Sequence, residues 1–202
     1  MLLVRHGQTP TTGKVLPGRA PGLHLADQGR EQADAAAERI GALTKVSAVY
    51  ASPLERTRET AAPIAKRLGL KTVVDRGLLE CDFGEWTGKE LKALSKLPEW
   101  SGVQRHPSGF RFPGGESFPE MQARMAGTLA KLRDRHPGET IVAVSHADPI
   151  KAAVAEAVGT PLDLFQRIVI SPCSVTAIAF GMTGPAVLAV NSTSTLTELK
   201  IS

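Results

Sequence analysis

The feature that most constrains the fold is a pair of apolar runs that each end in a histidine. The first run, residues 2–4, leads directly into Arg5-His6, and the second, residues 140–145, leads into His146. Short apolar runs of this kind are typical of buried strands. A single strand-end histidine is as often a packing or surface residue as a functional one. If the two strands are parallel neighbours, however, both imidazoles face one cavity at the carboxyl edge of a sheet, where open α/β folds build their sites.

Composition narrows the class of protein. A length of 202 residues suits one domain spanning 1–202 with a sizeable core. The net charge is +4 without a run of lysines or arginines, which argues against nucleic acid as a partner and fits a cleft for small anions. No signal-peptide pattern follows Met1 and no apolar run could cross a bilayer, so we expect a cytoplasmic protein without membrane contact. Cys81 and Cys173 form no metal-binding or disulfide pattern, so neither a metal nor a cofactor is expected.

Several segments together resemble one known family. Residues 5–9, Arg-His-Gly-Gln-Thr, resemble the Arg-His-Gly signature of the histidine phosphatase superfamily, which includes the cofactor-dependent phosphoglycerate mutases. Residues 145–146, Ser-His, resemble its second histidine motif. Three further segments are similar to family motifs and occur in family order: Ser-Pro-Leu-Glu-Arg-Thr-Arg-Glu-Thr-Ala at 52–61, Leu-Glu-Cys-Asp-Phe-Gly-Glu-Trp-Thr-Gly at 79–88, and Gly-Gly-Glu-Ser at 114–117. The resemblance implies a phosphoglycerate mutase-like α/β fold, a three-layer α/β/α sandwich around a mostly parallel central sheet.

The resemblance also assigns the reacting groups. His6 matches the nucleophile, and we expect a backbone carbonyl to hold its other ring nitrogen and so fix the tautomer. Arg5 and Arg56 offer forks of donors suited to phosphate oxygens. His146 is expected to be protonated and to add another donor as charge builds in the transition state. Glu80 is expected to protonate the leaving alkoxide and then deprotonate the attacking water, which requires a pKa raised by burial.

Three further residues are candidate substrate contacts. Arg19 lies in a Gly/Pro-rich loop, 11–25, which the family often uses for substrate contact, although a solvated arginine is an equal alternative. Thr12 stands where the family usually has asparagine, and its hydroxyl can donate a comparable hydrogen bond. Ala147 stands where glycine commonly follows the second histidine, and its N–H can still be offered to a phosphate oxygen.

Two acidic residues leave alternatives open. Glu85 competes with Glu80 as the catalytic carboxylate, but its offset does not fit the motif. Glu116 either lines the pocket or caps the following helix. The remaining pattern predicts helices at 28–43 (capped by Asp27), from about Arg56 to 68, from the segment 114–117 to about 136, and at 149–158 (capped by Asp148), and strands at 46–51, 71–74, 167–170, 174–180 and 186–191.

The predicted function is that of a metal-independent phosphomonoesterase of the histidine acid phosphatase type. It would hydrolyse a small phosphorylated metabolite through a phosphohistidine on His6, with activity favouring acidic to neutral pH. Segment 89–112 is shorter than the insertion that mutases resembling this family usually carry, which favours the phosphatase branch over a phosphoglycerate mutase-type isomerase. A catalytically weak regulatory or binding module on the same fold is the second alternative, against which the complete residue set argues. The apolar edge strands of the tail would allow a homodimer.

Overall fold

A six-stranded mixed sheet lies at the centre of the computed structural model, which describes residues 1–43 and 45–194. The strands are β1 (Leu2–Arg5), β2 (Ala48–Ala51), β3 (Thr72–Val74), β4 (Ile141–Ser145), β5 (Val175–Gly181) and β6 (Gly184–Ser192). Their order in the sheet is β3-β2-β4-β1-β5-β6. The pairs among the first four strands of this order are parallel, and β5 runs antiparallel to both β1 and β6.

The register of the two central strands decides where the site lies. β1 and β4 are parallel neighbours, with Arg5 opposite Ser145. The His6 amide continues the pairing and donates to the Ser145 carbonyl at 3.0 Å. His6 and His146 therefore leave the sheet side by side. The expectation that the two strand ends meet at one edge is confirmed.

Helices cover both faces of the sheet. They are α1 (Asp27–Gly41), α2 (Glu55–Leu68), α3 (Leu91–Leu94), α4 (Trp100–Arg105), α5 (Phe118–Arg135) and α6 (Ala147–Ala157). Because side chains alternate along a strand, Leu2 and Val4 of β1 pack against α1 and α2, whereas Leu3 packs against α5 and α6. This arrangement confirms the three-layer α/β/α sandwich.

A third apolar cluster lies beside the sandwich and is largely aromatic. Phe112 contacts the rings of Phe83, Trp86 and Phe118 at centroid distances of 4.8 to 5.5 Å. Phe118 in turn contacts Phe165 at 5.0 Å. This cluster anchors the loop that carries Glu80, because Phe83 and Trp86 follow that residue closely in sequence and are almost fully buried.

Several predicted boundaries are wrong for local physical reasons. The predicted strand 167–170 does not form: Arg167 ends a 3₁₀ helix, the Ile168 amide donates to the Phe165 carbonyl, and the Ile170 carbonyl accepts from the Arg5 side chain. α1 begins one residue earlier than expected, so Ala26 is its N-cap and Asp27 lies in the first turn. At α6 the N-cap is His146, and Asp148 does not cap the helix.

The start of α5 settles the alternatives for Glu116. Ser117 is the N-cap of α5 and forms a capping box with Glu120, so Glu116 lies before the helix and does not cap it. The end of α2 follows the prediction, since Gly69 adopts the left-handed conformation that terminates the helix. None of the helices in residues 1–43 and 45–194 has the length and apolar character needed to cross a membrane.

Candidate active site

The two histidines that follow β1 and β4 form the centre of the candidate site. Their ring centroids are 5.3 Å apart, and the planes are inclined at 62°. His6 is 5% exposed and His146 is fully buried. Arg56, in the first turn of α2, places Nη2 3.2 Å from His146 Nδ1. Arg5 and Glu80 lie close enough for their charges to act on this group. The structure thus brings together the five principal site residues that the sequence predicts.

The His6 ring is held in one neutral tautomer. Its Nδ1 lies 2.7 Å from the Gly7 carbonyl oxygen. A carbonyl oxygen can only accept, so Nδ1 carries the proton and Nε2 keeps its lone pair. Burial, followed by the charges of Arg56 and Arg5, holds the pKa of the His6 imidazole well below its ordinary value of 6.5. The ring is therefore neutral over the whole physiological range, as a nucleophile must be.

His146 is also neutral, and here the sequence-based expectation of a protonated ring is wrong. The Arg56 guanidinium has no acceptor atoms, so His146 Nδ1 must accept from it, which leaves the proton on Nε2. That Nε2–H donates to the Ser52 hydroxyl at 2.9 Å. Burial, followed by the charges of Arg56, His6 and Arg5, holds the pKa of His146 well below 6.5. In this structure His146 is thus a neutral donor oriented by Arg56.

Both arginines bring unsatisfied donors into the site. Arg5 Nη1 donates to the Ile170 carbonyl at 2.6 Å and Arg56 Nη2 to the Gly18 carbonyl at 2.7 Å. Arg5 Nε and Arg56 Nε and Nη1 are buried without a hydrogen-bond partner among the described residues. A buried donor left unsatisfied costs roughly 1–3 kcal/mol. Since guanidinium donors match the oxygens of a phosphate, these nitrogens mark a binding position for an oxyanion.

Glu80 is a buried carboxylic acid rather than a solvated carboxylate. The residue is 7% exposed, whereas its competitor Glu85 lies at the surface. Burial, followed by the negative charge of Asp148, raises the pKa of Glu80 to about 7, against the opposing effects of the Cys81 amide and the two arginines. The Cys81 N–H donates to Glu80 Oε1 at 2.9 Å. A carboxyl group that changes protonation near neutral pH can act first as an acid and then as a base.

Comparison with known protein families gives one match for this chain. The family model described as "Histidine phosphatase superfamily (branch 1)" matches residues 1–193. This chain belongs to the histidine phosphatase superfamily. It is 32% identical over 170 residues to phosphoserine phosphatase 1 of Hydrogenobacter thermophilus, a match that covers 82% of this chain and 79% of that protein. Curated relatives also include proteins named as phosphoglycerate mutase-like or as a probable phosphoglycerate mutase.

Solved structures give the same result. A mycobacterial glucosyl-3-phosphoglycerate phosphatase superposes with a TM-score of 0.86 at 25% identity, covering 95% of this chain and 98% of that one. A mutant phosphoserine phosphatase from Entamoeba histolytica, in complex with phosphoserine, superposes with a TM-score of 0.87 at 26% identity, covering 96% and 98%. The relatives and structural neighbours support phosphatase activity for this histidine phosphatase.

The three further candidate contacts have different surroundings. Ala147 opens α6, where geometry leaves its N–H without an intrahelical acceptor, so the amide is available to an anion. The Thr12 hydroxyl accepts from the Thr9 amide at 2.8 Å and closes a turn. Arg19 does not present free nitrogens, because it donates to the Glu80 carbonyl and to the carboxylates of Asp82 and Glu116. The expected contacts of Thr12 and Arg19 with phosphate gain no support from these partners.

The loop after His6 is fixed by a very close backbone contact. A Cβ atom at Gly7 would overlap with the carbonyl of Gly29, and a Cβ at Gly29 would overlap with the carbonyl of Gln8. Gly7 also donates to the Thr60 hydroxyl at 3.0 Å, and the Gln8 amide donates to the side chain of Gln32 at 2.9 Å. Glycine is therefore required at both positions, and the start of α1 holds the loop that follows His6 in place.

Arg124 is the residue of this region that sequence reasoning missed. It lies on α5 and donates to the carbonyls of Gly77 and Leu79 and to both carboxylate oxygens of Glu116. None of the matched motifs contains it. The available signal was its position eight residues after Glu116, in the second turn of a helix, which by itself does not distinguish it from an exposed arginine.

No metal site accompanies this arrangement in the part of the chain that the structure describes. Those residues contain no group of three or more His, Cys, Asp or Glu side chains arranged to hold a metal ion. Metal independence itself stays a prediction.

Proposed function

We propose that this histidine phosphatase hydrolyses small phosphate monoesters through a phosphohistidine on His6, without a metal ion. The observation that carries the proposal is the tautomer of His6. Its Nδ1–H is bound to the Gly7 carbonyl, so Nε2 keeps its lone pair, and the charges of Arg56 and Arg5, whose guanidinium groups carry unsatisfied nitrogens, act on this ring. A neutral nucleophile next to fixed cationic donors is the arrangement that phosphoryl transfer requires.

In the first step His6 Nε2 attacks phosphorus and the bond from phosphorus to the ester oxygen breaks. Glu80, protonated below about pH 7, gives its proton to the leaving alkoxide, so an alcohol departs. Arg5 and Arg56 neutralise charge on the phosphoryl oxygens. His146 would turn its Nε2–H from Ser52 to a phosphoryl oxygen while Arg56 keeps holding Nδ1.

In the second step the Glu80 carboxylate takes a proton from water, and the oxygen of that water attacks phosphorus. The bond from phosphorus to His6 Nε2 breaks, and inorganic phosphate leaves. Glu80 is protonated again and His6 is neutral, so the cycle closes without an external reactant. Because Glu80 must begin protonated, its pKa of about 7 supports activity that favours acidic to neutral pH.

The proposed partner is a small phosphorylated metabolite. Phosphoserine and glucosyl-3-phosphoglycerate are the substrates named for the relatives, and both are small phosphate monoesters. We expect no nucleic acid or membrane partner and a cytoplasmic location, and the sequence allows a homodimer. These three points stay predictions.

A phosphomutase is the second candidate function, favoured by the relatives that carry the name phosphoglycerate mutase. A mutase returns the phosphoryl group of the phosphohistidine to the substrate skeleton instead of to water. Residues 89–112 form only the two short helices α3 and α4 and a turn. A segment this short, compared with the insertion that mutases resembling this family usually carry, supports the phosphatase.

The test measures phosphate release from phosphoserine, 3-phosphoglycerate and glucosyl-3-phosphoglycerate in the presence of EDTA. We expect wild-type turnover that EDTA does not reduce, no turnover by His6→Ala, and normal turnover by His106→Ala, which removes an exposed histidine outside the site. A radiolabelled ester should label the wild-type protein with an acid-labile, base-stable phosphate, and should not label His6→Ala. Absence of release from every ester would refute the phosphatase. Isomerisation of 3-phosphoglycerate primed by a bisphosphate would identify the mutase instead.

A further inference from the structure

The main chain of Glu80 is held from two sides by arginines. Its carbonyl oxygen accepts from Arg19 Nε at 2.8 Å and from Arg124 Nη2 at 3.3 Å. The first arginine comes from the loop before α1 and the second from α5, so two distant parts of the chain meet at one peptide group. Such a charge-assisted pair of bonds fixes the orientation of that peptide far more firmly than a single neutral bond.

Arg124 uses its whole guanidinium group for this purpose. Nη1 donates to the carbonyls of Gly77 at 2.8 Å and Leu79 at 2.9 Å. Nε and Nη2 donate to Glu116 Oε1 and Oε2 at 2.8 and 2.9 Å, in the bidentate geometry that only arginine provides. Arg124 therefore binds three carbonyls in the four residues that end at Glu80.

Glu116 joins the two arginines into one unit. Its Oε2 also accepts from Arg19 Nη2 at 2.9 Å and from the Asp82 amide at 3.1 Å. Burial alone would raise the pKa of Glu116, but the hydrogen bond and charge of Arg124 outweigh it and the pKa lies below its ordinary value. The carboxylate is thus ionised wherever the enzyme works, and the Arg19–Glu116–Arg124 unit holds the loop on both sides of Glu80.

We infer that Arg124 and Arg19 are positioning residues that aim the Glu80 carboxyl at the leaving-group oxygen, an inference that rests on the proposed role of Glu80 as general acid. A general acid must come within hydrogen-bond distance of the atom that it protonates. Within residues 1–43 and 45–194 the Glu80 side chain makes one hydrogen bond, to the Cys81 amide, so the peptide that carries it largely determines where it points. A misplacement of about 1 Å at such a group costs up to about 100-fold in rate.

The test compares two esters that differ in their need for the acid. The alkoxide of phosphoserine is a poor leaving group that must be protonated, whereas the phenolate of p-nitrophenyl phosphate leaves with little help. For Arg124→Met we expect kcat/KM to fall about 10- to 100-fold with phosphoserine and less than about 3-fold with p-nitrophenyl phosphate. Glu80→Gln should show the same selectivity in larger form, and it serves as the reference for complete loss of the acid.

Three more variants complete the design. Arg133→Met removes an exposed arginine from the same helix and should behave as wild type with both esters. Arg124→Lys keeps a charged donor and should restore part of the lost selectivity. Arg19→Met removes one of the two bonds to the Glu80 carbonyl from a less buried position, so it replaces Arg124→Met in the test if that variant does not fold. Its kcat/KM should fall about 3- to 10-fold with phosphoserine and stay unchanged with p-nitrophenyl phosphate.

The outcomes separate the inference from the proposed function. Equal losses with both esters in Arg124→Met or Arg19→Met, while Glu80→Gln is selective, would show that the arginines only stabilise the fold and would overturn the inference. If Glu80→Gln itself lost both activities equally, Glu80 would not be the general acid and the proposed mechanism would fail first.

Discussion

Replacing Glu80 by glutamine should make the stability of this protein depend less on pH. The pKa of the folded Glu80 carboxyl lies at about 7, above its ordinary value of 4.5. The folded state therefore binds this proton more tightly than the unfolded state does. Its contribution to stability is complete below pH 4.5 and is lost as the pH rises to about 7, because the unfolded chain ionises first. Glutamine has nearly the same shape and no such titration.

The size of the effect follows from the two pKa values. The difference between 4.5 and about 7 corresponds to about 3 kcal/mol of folding free energy. Glu80 is only 7% exposed, so solvent screening does not reduce this value much. Between pH 5 and pH 8 about 2–3 kcal/mol of it is lost. Glu80→Gln should accordingly gain about 2–3 kcal/mol relative to wild type over this interval.

Urea unfolding at pH 5, 6, 7 and 8 measures the effect, with wild type and variant compared at each pH so that other titrating groups cancel. Glu85→Gln, at the surface a few residues away, is the matched control and should run parallel to wild type. A difference between Glu80→Gln and wild type that stays constant within about 0.5 kcal/mol from pH 5 to pH 8 would refute a raised pKa at Glu80.

Other predictions concern the surroundings of the same site. The wild-type kcat/KM should fall above about pH 7 as Glu80 ionises. Asp148→Asn should move this fall to lower pH, because it removes a negative charge that raises the pKa of Glu80. A stopped assay over pH 5 to 9 measures the shift, and an unchanged profile would contradict the prediction. Gly29→Ala should cost roughly 1–3 kcal/mol in urea unfolding through overlap with the loop backbone, whereas Gly127→Ala, in open space on α5, should cost nothing. Inorganic phosphate should raise the melting temperature of wild type, and an equal rise in Arg56→Met would contradict the anion site.

Local sequence patterns were sufficient for the centre of the fold. The apolar runs that end at Arg5-His6 and at His146 are buried strands, as their local patterns predict, and the parallel pairing that had to be assumed from the sequence brings their ends together. The expected carbonyl partner of His6 is the neighbouring Gly7, one residue away. Periodicity reveals the strands and their chain neighbours, whereas the pairing of the strands was an assumption.

Features that depend on distant partners were not accessible in this way. The direction of Arg19 is determined by the Glu80 carbonyl and by Glu116, 61 and 97 residues further along the chain. The protonation state of His146 follows from a bond to Arg56, 90 residues away. Residues 167–170 have strand-like composition but form no strand; Arg167 ends a 3₁₀ helix and the Ile170 carbonyl accepts from Arg5, 165 residues away in sequence. Side-chain donors and acceptors chosen across such distances leave no periodic trace in the sequence.

The unsatisfied nitrogens of Arg5 and Arg56 also limit how well such an enzyme can work. In the proposed cycle, the donors that receive the arriving phosphoryl group are the same donors that hold the free phosphate at the end. Inorganic phosphate should therefore compete with the substrate. A further cationic side chain in the pocket would bind the ester more tightly, and it would also slow the release of the phosphate product. Once departure limits turnover, stronger binding no longer increases the rate. Selection for speed would then favour leaving part of the donor capacity of this pocket unused.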